Sequence, residues 1–504
     1  MKKITFLNVM MALFILSSCS DDDNKDLIDF TVSFNAATIS TTEGDTSKEV
    51  ILTFSRAASK DGTINLDYTT DNADYGTDFT TDPDGTSGTL AIPVASGDLN
   101  TSFTFNKLTN AIEGTSKSVT FSLSGYSESD WSNGSTSSTL VSYTPIAATS
   151  GVIDTENGGS NQPNQVYFDF STGVQTAVRR DTWEIALYNG AENRVFLNAS
   201  LLVSAAALPG VTDLLSVTNA TVLAYPLELF SYNLETGSMD QSSISTVEEL
   251  VLGLPIDYGQ FGNLEQGISF TDSSDGSLEG TAIAEVSTNP EENFVHLVSL
   301  GKEIPTDPAP VGSISTTGDS RKIIKMRILS DGESYTIQYA DLNETTTFSE
   351  ITVPKDAAYN LTAVSLTSGA AVEVEPAKDQ WDLNLSGVFS YYGAQGPLVA
   401  GLTYSDFVLH NTLGGVGVYQ VSIVEGTPTY ANFTRTDVDE SAFVFDNRSL
   451  IGSGWRTTFG TPQVNDDRYY IIKDADGNYY KMNFTAFTST QGERGHFQFT
   501  YDRL

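Results

Sequence analysis

The sequence predicts an all-β protein, and three observations carry the prediction. No long stretch has helical periodicity. Short runs rich in Thr, Val, Ile and aromatic residues alternate polar with apolar positions, as half-buried strands do. Gly and Asp words separate these runs at short spacing, the punctuation of sandwiches and hairpins. The 504 residues allow roughly three domains, each able to bury its own core. Sixty-four acidic residues against 26 basic ones give a formal charge of −38. That field repels nucleic acid and anionic membrane surfaces, which both require clustered Lys and Arg.

The N-terminus reads as an export signal. Met1-Lys2-Lys3 is a positive segment, and Ile4 to Leu16 is an apolar run too short for a transmembrane helix. Leu16-Ser17-Ser18-Cys19 then fits the bacterial lipoprotein cleavage box, which makes Cys19 the lipidated residue of an outer-membrane anchor. It is the single cysteine of the chain, so no intrachain disulfide and no Cys-based zinc site is expected. Residues 20–30 form an acidic tether. Its opening, Ser20-Asp21-Asp22-Asp23, resembles the export signal of Bacteroidetes lipoproteins that are flipped to the cell surface.

Residues 31–145 read as the first folded unit. Thr31-Val32-Ser33-Phe34, Glu49 to Ser55, Thr63 to Tyr68, Thr101 to Phe105 and Ser118 to Leu123 all alternate with a period of two. The Ser/Thr/Gly-rich part after Gly125, up to about Val152, reads as an extended connection. The order Thr42-Glu43-Gly44, Asp67-Tyr68-Thr69-Thr70, Gly76-Thr77-Asp78-Phe79, Ser87-Gly88-Thr89-Leu90, Glu113-Gly114 resembles a Calx-β domain, an Ig-like sandwich. The resemblance implies calcium at Glu43, Asp78 and Glu113, where converging loops offer the hard oxygens that this ion requires. A spacer holding the rest away from the membrane is the plainer role.

The remainder reads as a duplicated antiparallel β-module, 150–345 and 346–504. Asp181-Thr182-Trp183-Glu184-Ile185-Ala186-Leu187 recurs as Asp379-Gln380-Trp381-Asp382-Leu383-Asn384-Leu385, and each follows a Ser/Thr-Gly turn, Ser171-Thr172-Gly173 and Thr367-Ser368-Gly369. Each Trp strand is followed at a distance by an Asp-Gly hairpin, one turning at Asp331-Gly332 and one at Asp476-Gly477. Between these marks, Leu201 to Leu215 reads as a short buried helix, and Gly280 to Val286 with Phe294 to Leu300 as a strand pair.

The second copy carries a further series: Asp406-Phe407-Val408-Leu409-His410-Asn411-Thr412-Leu413-Gly414-Gly415, Ile451-Gly452-Ser453-Gly454-Trp455-Arg456, the hairpin from Tyr469 to Phe487, and Gly492-Glu493-Arg494-Gly495. This series resembles the HmuY family of Bacteroidetes surface lipoproteins. The resemblance implies an all-β module that captures haem or a related tetrapyrrole, free or from a host haem protein, and passes it to a TonB-dependent outer-membrane receptor. A haem pocket needs an apolar slot and axial donors from His, Met, Tyr or Cys. The candidates are His410, beside the Gly-rich turn, with Met482, Tyr391 and Tyr392 as second donors; His296 and His496 complete the histidines. Between His410 and Met482 there is no second His or Met, which departs from bis-histidine capture and keeps open a module that recognises glycan or protein instead. No nucleophile elbow, zinc-protease motif or phosphate loop occurs, so the sequence reads as a binding protein and not an enzyme.

Overall fold

A computed structural model describes residues 29–504, apart from 113–114, 234–235, 237, 255–268, 396–397 and 459–461. The chain divides into two compact units, Met1–Ile146 and Ala147–Leu504. Its described residues are almost wholly β, with one short α-helix and a few 3₁₀ turns.

The first unit is a sandwich of two five-stranded sheets. One runs in the order β5 (Phe79–Asp82), β7 (Asn100–Lys107), β3 (Ser47–Phe54), β1 (Phe30–Phe34), β9 (Trp131–Asn133). The other runs β2 (Thr38–Thr41), β10 (Ser138–Tyr143), β8 (Ser118–Tyr126), β4 (Gly62–Asp71), β6 (Thr89–Val94). Alternating side chains from both, among them Phe30, Val32, Leu66, Phe79, Phe105 and Phe121, fill one core. The part after Gly125 is not a bare connection. It supplies β9 and β10, which pair in parallel with β1 and β2. Its small polar residues masked a period of two that buries Thr139, Val141 and Tyr143.

The second unit is built from four sheets. Two have four strands: β15 (Val195–Leu197), β14 (Ile185–Tyr188), β23 (Leu361–Ser365), β24 (Ala370–Val372); and β26 (Leu398–His410), β25 (Leu383–Gln395), β12 (Asn164–Phe168), β13 (Gln175–Arg179). Two have five: β16 (Ser204–Ala207), β19 (His296–Ser299), β20 (Ile323–Ser330), β21 (Ser334–Asp341), β22 (Ser349–Pro354); and β27 (Gly417–Ser422), β30 (Arg468–Lys473), β31 (Tyr479–Thr488), β32 (Arg494–Arg503), β11 (Ser150–Asp154). The ribbons β17 (Val222–Asn233) with β18 (Ser238–Thr246) and β28 (Arg456–Thr457) with β29 (Gln463–Val464) are accessories, as is α1 (Val247–Gly253), whose start is closed by a Thr246–Glu249 capping box.

The strand orders of the two halves match throughout, and the match is intertwined. β11 and β12 precede the Trp183 strand in sequence, yet they pair with β32 and β25 of the later half, and β12 carries β13 with it. β22 and β23 precede the Trp381 strand, yet they pair with β21 and β14 of the earlier half, and β23 carries β24 with it. The two expected modules are therefore joined by exchanged strands within one compact unit. Equivalent contacts recur on both sides. Glu184 accepts the Leu366 amide and Asp382 accepts the Phe170 amide. The Asn198 side chain donates to the carbonyls of Arg180 and Trp183, and that of Asn411 to those of Lys378 and Trp381.

Strand order also corrects which hairpins correspond. β20 and β21 match β31 and β32, so Lys325-Met326 is the counterpart of Lys481-Met482, and the turn at Gly332 corresponds to that at Gly492 and not to Gly477. All three glycines hold positive φ, which is why the turn words alone did not discriminate. Both lysines are buried and donate to main-chain carbonyls, Lys325 to Val217 and Glu344, Lys481 to Tyr430 and Phe433.

Two further readings change. The run from Leu201 to Leu215 forms β16 between 3₁₀ turns, because it is buried on both sides and has no amphipathic face to stabilise a helix. Gly280 to Val286 is not a strand; its amides are taken by Asp272 and by the Asn193 carbonyl, and β19 pairs instead with β16 and β20.

Candidate ligand site

A cavity of about 90 Å³ lies where the two four-stranded sheets of the second unit meet. Each half contributes its Trp strand and the turn that follows its next strand: Trp183 with Asn198 to Ser200, and Trp381 with Asn411 to Leu413. The sheet positions are chemically unequal. β12 and β25 present Gln165, Tyr167, Asn384 and Ser386, whereas the positions equivalent to the first three are Leu361, Ala363 and Ala186. Alternation dictates this face: Val166, Phe168, Leu383 and Leu385 point into the core between sheets, so their neighbours point the other way.

The aromatic part of the wall comes from Tyr167 and Trp381, packed edge to face at 5.1 Å between ring centroids, with Trp183 and Phe196. Six polar atoms of wall residues are buried with no hydrogen-bond partner among the described residues: Gln165 Nε2, Trp183 Nε1, Trp381 Nε1, Asn384 Oδ1, Ser386 Oγ and His410 Nδ1. Unpaired buried polar atoms are costly, and six around one cavity is a concentration that folding alone does not explain. Glu375 and Arg448 also line the cavity. Burial pushes the Glu375 carboxyl up to about 8, despite the Asn360 and Leu361 amides that it accepts, so it is protonated at neutral pH. Burial also lowers the Arg448 guanidinium from its ordinary value, while Asp272 and Asp275 favour its charged form.

The sequence candidates are distributed differently. His410 borders the cavity, but it pairs across the strand with Leu383 and so shares the inward face of that residue. Its Nε2 lies 3.1 Å from the Val444 carbonyl, to which it donates, and burial lowers its pKa to about 4. Met482 is fully buried in the core between sheets, in one cluster with Phe168, Tyr480 and Phe499. Tyr391 and Tyr392 lie on β25, and their side chains fall outside the described residues. His296 is buried in β19, with burial lowering its pKa to about 4, and half-buried His496 lies 3.4 Å from Glu493. Haem does not fit this arrangement. A macrocycle with two propionates needs several times the space of the cavity; the histidine beside it holds the Val444 carbonyl through Nε2 and keeps only Nδ1 unpartnered.

Calcium does not fit the first unit either. Asp78 is buried against Lys117, whose Nζ is 2.5 Å from Oδ1, and against the Thr109 hydroxyl. Lys107 donates to the carbonyls of Thr42 and Glu43, so ammonium groups occupy the neighbourhood where a divalent ion would sit. Glu43 itself is exposed, and Glu113 and Cys19 lie outside the described residues. Among the described residues no three His, Cys, Asp or Glu side chains are grouped to hold a metal.

The two buried histidines make acid stability a test of the core. Their folded pKa is depressed, so the neutral form is retained on folding. The stability this gives is complete above about pH 6.5, the ordinary histidine value, and is lost as pH falls towards 4. Glu375 and Asp272 act in the opposite sense: burial raises them to about 8 and about 6, so their contribution is lost as pH rises through those values. The urea midpoint should therefore pass through a maximum between these limbs, and His296→Gln with His410→Gln should flatten the acid limb only.

A family model described as HmuY protein matches residues 161–501. The chain belongs to the HmuY protein family. No curated protein matches significantly. Among solved structures, a putative carbohydrate binding protein from Bacteroides ovatus aligns over 75% of this chain and 97% of its own, at 11% identity and a TM-score of 0.22. A two-domain protein of unknown function from Bacteroides fragilis aligns over 45% and 85%, at 9% identity and TM-score 0.18. The apo form of the Calx CBD1 domain aligns over 22% and 94%, at 15% identity and TM-score 0.19.

The residues that line the cavity were largely missed from the sequence. The repeated Trp words marked Trp183, Trp381 and Asn384, and the family series marked His410 to Leu413. Gln165, Tyr167 and Ser386 gave no signal, because each is an ordinary strand residue until β12 crosses to the other half.

Proposed function

We propose that this HmuY-family chain is a non-catalytic binding lipoprotein, anchored through Cys19 in the outer membrane and displayed at the cell surface on its acidic tether. Its ligand site is the cavity between the two Trp strands, and its ligand is a small polar molecule. The observation that carries this reading is the set of six unpartnered polar atoms around that one cavity. No helix among the described residues is long and apolar enough to cross a membrane, which agrees with an anchor of lipid. Family membership supports delivery to an outer-membrane receptor of the TonB-dependent class as the role of such an anchored chain.

Haem capture is the second reading, favoured by family membership and by His410 bordering the cavity. A haemin titration of residues 20–504, followed by absorbance, separates the two. The expected result is no saturable Soret change, oxidised or reduced. A saturable change that is lost in His410→Ala would establish haem capture in its place, with the sheets parting to admit the macrocycle.

A further inference from the structure

From the wall chemistry we infer that the cavity takes one uncharged, polyhydroxylated ring, such as a single sugar residue or the end of a glycan. The inference rests on the proposed binding function and specifies its ligand class. The unpartnered atoms are of mixed polarity. Trp183 Nε1, Trp381 Nε1 and Gln165 Nε2 can only donate, Asn384 Oδ1 can only accept, His410 Nδ1 accepts because Nε2 donates to Val444, and Ser386 Oγ does either. A carboxylate or phosphate would satisfy the donors and leave Asn384 unpaired. An ammonium group would do the reverse. Hydroxyl groups donate and accept, so one molecule carrying several of them answers the whole set.

Charge points the same way. The Arg448 guanidinium is opposed by Asp272 and Asp275, and the Glu375 carboxyl is protonated, so the wall offers a ligand no uncompensated charge. Size agrees as well. A volume of about 90 Å³ equals the liquid volume of roughly three water molecules, which seats one edge of a sugar ring and is well below a macrocycle. Aromatic rings at Tyr167, Trp183 and Trp381 supply apolar surface for the C–H face of such a ring.

The test is titration of residues 20–504 with glucose, galactose, mannose and N-acetylglucosamine, read by saturation-transfer NMR and calorimetry. Glucuronate and glucosamine serve as charged counterparts, and methyl glycosides mimic a chain end. At least one neutral sugar should bind saturably, and tighter than its charged counterparts. Trp381→Phe, which keeps a ring and removes the N–H, and Ser386→Ala should each weaken it about tenfold while leaving the urea midpoint nearly unchanged. Equal binding of the methyl glycoside identifies a glycan end, and its exclusion a free sugar. No saturable neutral sugar, or binding indifferent to both substitutions, overturns the inference. A thermal-shift panel of non-sugar metabolites then separates the two failures. A Trp381-dependent shift by another class leaves the binding function standing, and no such shift removes that reading as well.

Discussion

Replacing Asp406 with Ala should destabilise the second unit by about 3–5 kcal/mol, the cost of stripping a buried charge cluster of its counter-ion. Asp406 is fully buried at the foot of the Gly-rich segment, with φ of +49°. Its carboxylate is ion-paired with Arg494 and, at 3.2 Å, with Arg456, and it accepts a 2.5 Å hydrogen bond from Gln162 Nε2. The Arg456 guanidinium is already lowered from its ordinary value by burial, with Asp406 as the main influence in its favour. Gln162 belongs to the segment that leads into the exchanged strand β12, Asp406 to β26 and Arg494 to β32. One side chain thus fastens the crossing strand to both sheets of the later half. The check is urea unfolding of the full chain, where the transition of the second unit should move and that of the first should not. Asp467→Ala, which removes an exposed carboxylate paired with its neighbour Arg468, should stay within about 0.5 kcal/mol. Equal effects from the two substitutions would refute the role of the cluster.

Met482→Ala should cost about 2–5 kcal/mol of stability and leave ligand binding unaltered. Met482 is fully buried between the two sheets of the later half, opposite Tyr470 on one neighbouring strand and Tyr501 on the other. Its thioether fills an irregular space among rings, and the cavity left by Ala would be lined by groups that cannot close over it. Met326→Ala should behave alike in the earlier half, since it is equally buried and holds the matching strand position. Leu at either site keeps the volume and should cost less than about 1.5 kcal/mol. A haemin or sugar affinity that changed with Met482→Ala beyond its effect on folding would make the sulfur a ligand and contradict its assignment to the core.

The division between what was legible in the chain and what was not follows the range of the interactions. The all-β class, the sandwich of the first unit and the doubled Trp strand are local facts. Period-two alternation, Gly turns with positive φ and a recurring seven-residue word each lie within about ten residues of chain. The family series was legible too, but its meaning was not. Asp406 opens one segment and Arg494 sits in another 88 positions on, and only folding joins them as an ion pair. The hairpin correspondence failed for a related reason, since an Asp-Gly turn meets a local demand of any tight hairpin and does not report where the hairpin docks. The cavity lay furthest from view. Its polar face exists because β12 leaves its own half and pairs with β25, carrying Gln165 and Tyr167 alongside Asn384. The sequence by itself determined strands, turns and the repeat, because backbone sterics and side-chain alternation act locally. The tertiary structure alone decided the exchange of strands and therefore the site, because both depend on which distant strands share hydrogen bonds.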